Sequence, residues 1–255
     1  MYLLSKSEYS RAVDAVRHTT LDKVYPLSIA EGTQSGAIFA NRADDPRGFL
    51  FWHACGFGFP AGTPDNGFLH EIAALMQNPL CAEHHGRLAL ESETDSEWTA
   101  FFQSLPSVQK QEQYQFSFVG TDTYCPADPA IVPIDASNYH LLVGRIVPSF
   151  SWDSEAQFLA HGFGFCVFHE GEFAACAFSA AVSREYVDIG VETAEAFRGK
   201  GFGKRVVNCM TDEILRRRKI PLWQCSTQNE ASARLARSTG FILKNTHPLF
   251  VSVNP

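Results

Sequence analysis

"FRGKGFGKRV", Phe197 to Val206, holds three glycines and four basic residues in ten positions. Before it stands the alternating stretch "EYVDIGVET", which reads as a strand. After it, apolar residues fall at 202, 206, 207, 210, 214 and 215, the spacing of a helix packed on a sheet. A glycine-rich turn that opens a helix leaves backbone N–H groups unpaired at the positive end of the helix dipole. Its lack of side chains lets an anionic phosphate come close. Arg198, Lys200, Lys204 and Arg205 add positive charge to that turn. The triplet Gly-Phe-Gly also occurs at 56–58 and 162–164. The first copy lies inside an apolar run and reads as a bend. The second follows a helical segment, where Gly162 reads as a C-cap. Only the third is assigned to a ligand. Its spacing is not the Gly-x-Gly-x-x-Gly of a dinucleotide fingerprint. It is not a Walker A loop either, because Lys204 is followed by Arg205 instead of Ser or Thr.

Working outward, "DNGFLHEIAALMQN" and "DSEWTAFFQSL" read as helices, and "RLALES" and "EQYQFSFVG" as strands. The segment "SEYSRAVDAVRHT" reads as a helix capped at Ser7, and "GFLFWHACGFGFPAG" as a buried strand or hairpin arm. A proline-rich loop, "YCPADPAIVPID", marks the expected boundary between domains 1–130 and 131–255. Beyond it come a helix in "SWDSEAQFLAHG", a hairpin around His169 to Glu172, and the strand, turn and helix already described. Pro221 is expected to end that helix. "PLWQCST" is the next strand, Asn229 caps a helix that Gly240 ends, and "FILKNTHPLFVSV" supplies the last strand or hairpin.

Of 255 residues, 45% are hydrophobic and 19% charged, which suits a globular chain with a real core. The net charge of −7 is concentrated in residues 1–130, with 8 Lys and Arg against 16 Asp and Glu; the rest carries 13 against 12. A nucleic-acid partner is not expected, since a phosphate backbone needs a basic face. Acidity in the first half favours a cationic small molecule. The seven cysteines form no Cys-x-x-Cys pair and several lie in apolar runs, so they read as reduced core residues of a cytoplasmic protein. Cys81, His84 and His85 form half a metal motif without a second half and read as a surface turn, so no metal is expected. The N-terminus has no signal-peptide core and no stretch is long enough for a membrane span.

Arg198-Gly199-Lys200-Gly201-Phe202-Gly203 resembles the pyrophosphate loop Arg/Gln-x-x-Gly-x-Gly/Ala of the GNAT superfamily of acyl-CoA N-acyltransferases. "VDIGVET" is similar to that family's fourth strand, and "WQCSTQNEASARLARSTGF" to its fifth strand and following helix. The order of strand, loop, helix, strand, Asn-headed helix and Gly-Phe covers about residues 131–255. "HGFGFCVF", "DIGVET", "FRGKG", "PLWQC" and "NEASARLARSTGF" together resemble the bacterial GNAT group with an extra N-terminal domain, aminopolyol-antibiotic acetyltransferase-like. In residues 1–130 the resemblance rests on "FLFWHACGFGFPAGTPDNGFL". The repeated Gly-Phe-Gly-Phe runs suggest a degenerate copy of the second half.

The resemblance implies an α/β (α+β) GNAT fold, with a mixed, mostly antiparallel sheet and flanking helices, plus an N-terminal α/β domain on the acceptor side. It implies acetyl-CoA as co-substrate and direct attack by the primary amine of a small molecule in a ternary complex. Backbone groups of Val191 and Thr193 would hold the pantetheine and thioester. Arg198 to Lys204 would hold the pyrophosphate, with Asn229 also on the cofactor side. Glu192, at the strand end, is the expected general base, with Glu185 and Asp188 as alternatives. The tyrosine that many members use as general acid is replaced by Ala236. That replacement keeps an acyl-CoA-binding sensor with little turnover as the alternative. A monomer or homodimer is expected.

Overall fold

The structure, a computed structural model, describes residues 1–78, 87–120 and 128–253. Cys81, His84, His85 and Cys125 lie outside the described residues. The chain forms two compact units, one of Met1–Gln113 with Thr246–Pro255 and one of Tyr114–Asn245. The division therefore differs from a single cut at residue 130. Phe116 is fully buried in the core of the second unit, and Phe250 in that of the first. No periodicity within either segment says which core its aromatic residues will enter.

The first unit contains strands β1 (Tyr2–Leu3), β2 (Gly36–Ala40), β3 (Gly48–His53), β4 (Phe57–Gly62) and β5 (Ala89–Glu91). Its helices are α1 (Ser10–Arg17), α2 (Val24–Ala30), α3 (Asn66–Met76) and α4 (Glu97–Phe102). Strand β6 (Val108–Phe118) passes from the first unit into the second, and β12 (Phe241–Ser252) passes back. The strand order in the first unit is β1-β2-β3-β4-β5-β12. The run from 48 to 62 forms the hairpin β3–β4, turned at Gly56 with φ +87°. Helix α2 escaped the sequence reading because Pro26 falls in its first turn, where a proline is tolerated. Ser7 does not cap α1, whose N-cap is Tyr9 without a side-chain hydrogen bond; Ser5 and Glu8 form a capping box around the 3-10 turn Lys6–Glu8 that precedes it.

The second unit adds β7 (Ile131–Pro133), α5 (Glu155–His161), β8 (Gly164–His169), β9 (Glu172–Val182), β10 (Tyr186–Thr193), α6 (Phe202–Arg216), β11 (Ile220–Ser226) and α7 (Glu230–Ser238). Its strand order is β6-β11-β10-β9-β8-β7. The described ladders are antiparallel in both units except for β4–β5 and β10–β11. Helix α6 lays Val206, Val207, Met210 and Ile214 on the sheet, as the spacing predicts. It ends at Arg216, before Pro221, which lies inside β11; Arg218 turns the chain at φ +58°. Gly162 closes α5, but in extended geometry; a Cβ there would lie 2.6 Å from the Phe158 ring.

Cys55, Cys166, Cys176 and Cys225 are free and buried. Cys209 is disulfide-bonded, so the all-reduced reading fails at that residue; bonding follows proximity in the fold and needs no Cys-x-x-Cys spacing.

Within the first unit, His247 on β12 and Glu91 at the end of β5 make a buried pair, Nε2 to Oε2 3.0 Å, each 2% exposed. Burial pushes the imidazole toward neutrality, but the charge and hydrogen bond of Glu91, with Asp22 and Glu112 behind it, raise its pKa above 6.5. A proton held more tightly in the folded state stabilises it fully below the ordinary pKa, and that contribution fades as pH rises through the folded pKa. Glu91→Gln is expected to lower the unfolding free energy by roughly 1–3 kcal/mol near pH 6, and by less near pH 9. Urea unfolding at both pH values checks this; an equal loss at each would reject the charged pair.

Candidate active site

Strands β10 and β11 run in parallel register at Tyr186–Ile220, Val187–Pro221 and Asp188–Leu222, where their pairing ends. Both continue, β10 to Thr193 and β11 to Ser226, so the sheet splays open at their C-terminal ends. The ladder between β10 and β9 shifts register between Asp188 and Ile189, a bulge at the point where the splay begins. Past it, Ala194 N–H donates to Ala174 O at 3.0 Å. Backbone groups alternate sides along a strand, so Glu192 also turns its backbone toward β9. Val191 and Thr193 then turn theirs toward the opened edge, where β11 no longer supplies partners.

The glycine turn lies at that same end. A 3-10 turn, Glu195–Phe197, leads into Gly199 (φ +76°) and Gly201 (φ +85°), the N-cap of α6. These left-handed conformations suit glycine, and a Cβ at either position would meet nothing within 4 Å, so the surface over them is open. Helices α3, α4, α5 and α7 are capped by the side chains of Asp65, Ser96, Ser154 and Asn229. No side chain caps α1, α2 or α6, and at α6, the longest helix among the described residues, this leaves the N–H groups of the first turn without a side-chain cap beside the glycine turn. Lys200 and Lys204 are exposed beside it, and Arg198 docks by donating Nε–H to Thr193 O at 3.3 Å. Phe202 is buried against Phe197 and His169, anchoring the turn to the end of β8. Arg205, counted among the flanking cations, is instead held by Asp128, whose carboxyl it keeps below the usual carboxylate range.

Gly203 plays a different part. A Cβ there would lie 2.8 Å from Thr193 Oγ1, so glycine lets the helix start touch the strand end. Gly203→Ala is expected to cost roughly 1–3 kcal/mol by overpacking. The added substitution Thr193→Ala should recover much of that loss in thermal unfolding, because it removes the clashing atom. Additive losses in the double variant would place the strain elsewhere.

Glu192 is half-buried, and its Oε2 accepts two backbone hydrogen bonds, from Arg145 N–H at 3.0 Å and Ile146 N–H at 2.8 Å. Sequence reasoning missed this partner loop, along with Asp128 and His169. Only the isolated Gly144 between Leu142 and Val147 signals it. Glu185 lies outside β10, exposed in the turn before Tyr186, roughly 23 Å of strand from Glu192 at about 3.3 Å per residue. The strand begins one residue later than its alternation suggested, so this alternative base is remote from the splay. Asp188 is on the strand but buried at the last paired position. Asn229 accepts a hydrogen bond from Ser232 N–H through Oδ1 at 3.1 Å, capping α7. Ala236 is fully buried in the core, so no acidic group stands at that position.

Burial raises the thiol pKa of Cys166 to about 12 and also raises those of Cys176 and Cys225. None of the three offers a thiolate nucleophile. Among the described residues, no group of three or more His, Cys, Asp or Glu side chains is arranged to hold a metal ion. No helix among them is long and apolar enough to cross a membrane.

The family model described as GNAT acetyltransferase matches residues 18–250, spanning both units. A protein of Bacillus subtilis (strain 168), named an uncharacterized N-acetyltransferase, YdfB, is 24% identical over 98% of this chain and 97% of its own. A GCN5-related N-acetyltransferase-like protein from Streptococcus suis 89/1591 superposes with a TM-score of 0.74 at 20% identity, over 97% of this chain and all of that one. A GCN5-related N-acetyltransferase from Sphaerobacter thermophilus gives a TM-score of 0.63 at 11% identity, over 100% of this chain and 95% of that one.

Proposed function

This chain belongs to the GNAT acetyltransferase family, and from that membership we propose that it transfers the acetyl group of acetyl-CoA to a primary amine of a small molecule. The observation that carries the reading is the coincidence, at one strand end, of an opened sheet edge and an uncapped, glycine-built helix start. The residues fit the co-substrate. The turn from Arg198 to Lys204 offers open space, helix N–H groups and exposed cations to the pyrophosphate. Val191 and Thr193 offer backbone groups to the pantetheine and thioester, and Asn229, the N-cap of α7 just after β11, is assigned to the cofactor side.

Acetyl-CoA supplies an activated thioester; the protein orients it and an amine in one ternary complex, without an acyl-enzyme. The raised thiol pKa values are consistent with that order of events. Glu192 takes the proton from the attacking amine through the oxygen not bound to the loop amides. With alanine at 236, the coenzyme A thiolate leaves without a side-chain acid from α7. One acyl-CoA binds per chain. In the first unit, the start of α3 is closed by its own side-chain cap: Asp65 accepts from Phe68 N–H at 2.9 Å, which puts a carboxylate at that helix N-terminus. A screen of primary amines with acetyl-CoA, read by thiol release, tests the reading. Release that no amine accelerates would reject it.

A further inference from the structure

The loop of residues 142–147 is tied to the strand end by a single carboxylate oxygen. Glu192 Oε2 holds Arg145 N–H and Ile146 N–H at 3.0 and 2.8 Å. The residue before them, Gly144, has φ +136°. A Cβ on Gly144 would stand 2.6 Å from Glu192 Cγ, 2.8 Å from Cδ and 3.0 Å from Oε2. Two separate features thus force glycine here, a backbone conformation that side chains resist and a contact with the very carboxylate that holds the loop. On either side, Leu142 and Val147 are buried in the unit's core, while Val143 and Arg145 are exposed. The loop is pinned at both ends and in the middle, with its backbone against Glu192 and those two side chains exposed.

We propose that Gly144 is a positioning residue for the acceptor: it lets Glu192 clamp the 144–146 backbone, and the clamped loop forms one wall of the place where the amine waits. The inference rests on the proposed function, because it takes the Glu192 strand end as the transfer point. One carboxylate then does two jobs with two oxygens, Oε2 fixing the wall and Oε1 facing the amine. The acceptor and its proton acceptor are held in register by the same side chain. The two jobs separate by mutation. Gly144→Ala disturbs the wall by pressing a Cβ against the Glu192 side chain, but keeps a carboxylate and its basicity at that position. Glu192→Gln keeps an oxygen that can accept both N–H groups and loses the basicity. Glu192→Ala removes both.

The test uses the full chain with two readouts. Trypsin cuts after Arg145, an exposed bond whose flanking amides the clamp immobilises, so the cleavage rate at Arg145–Ile146, followed by mass spectrometry, reports the clamp without any acceptor. Gly144→Ala and Glu192→Ala are expected to be cut about tenfold faster than wild type, and Glu192→Gln at the wild-type rate. The amine with the highest turnover in the thiol-release screen supplies the second readout. Gly144→Ala should raise its KM about tenfold, with the acetyl-CoA dissociation constant and the shape of the pH–rate profile unchanged. Wild-type cleavage rates in Gly144→Ala and Glu192→Ala would overturn the clamp. Faster cleavage with an unchanged KM would overturn the acceptor wall. Failure of wild type to bind acetyl-CoA would reject the proposed function instead, and the cleavage readout would still decide the clamp.

Discussion

Gly201→Asp is expected to abolish the stabilisation that acetyl-CoA gives the wild-type chain. A ligand bound only to the folded state at a hundredfold excess over its dissociation constant contributes about 2.7 kcal/mol, or roughly 5–10 °C in Tm for a chain of this size. Gly201 is the N-cap of α6, at φ +85° with nothing within 4 Å of a Cβ, so an aspartate there meets open space. Aspartate is among the residues that tolerate the left-handed region and suit an N-cap, so the apo fold should survive. Its charge would project into the position the pyrophosphate needs, and its carboxylate would compete for the same N–H groups. Thermal shift with and without acetyl-CoA, together with calorimetry reading one equivalent per wild-type chain, checks the prediction. A full thermal shift in Gly201→Asp would remove the phosphate from this turn.

The second large effect is expected at Glu192. An alkylammonium acceptor has a pKa of about 10 and must lose a proton before its nitrogen can attack. A positioned base contributes roughly 10²–10⁴ in rate, so Glu192→Gln should lower kcat by that factor at neutral pH. Activity should partly return as pH approaches the amine's own pKa, where the solution supplies the free base. The carboxamide oxygen of Gln can still accept from Arg145 and Ile146 N–H, which keeps the loop in place, and acetyl-CoA affinity should not change. Glu185→Gln is the control, because that residue is exposed in the turn at the far end of β10. Normal turnover of Glu192→Gln at neutral pH would end its role as base. Asp188 would then be the carboxylate to test.

Some of this was legible without coordinates because it depends on neighbours in the chain. A helix start is built from consecutive residues, so Arg198 to Gly203 announced the turn and the start of α6. Alternation in "YVDIGVET" announced β10, and the apolar spacing from 202 to 214 announced the buried face of α6. Asn229 announced a cap, and Gly240, at φ +93°, the end of α7. The alanine at 236, where the resembled family often carries a tyrosine, was visible through that resemblance and not through any local pattern.

What only the tertiary structure decided involves partners far apart in sequence. Glu192 meets Arg145 and Ile146 across 47 and 46 residues, and Arg205 meets Asp128 across 77; no local pattern encodes such pairs. Glu91 and His247 stand 156 residues apart, and their pairing depends on β12 returning to the first unit. Core membership is equally non-local: Phe116 and Phe250 are apolar in any reading, but which core each enters depends on which strands pair, and many registers bury the same pattern of side chains. The splay itself is a difference between two strands, each unremarkable alone. Sequence fixes what a segment can be, through dihedral preference and periodicity. Which carboxylate holds a loop depends on packing contacts that exist only after the chain has folded.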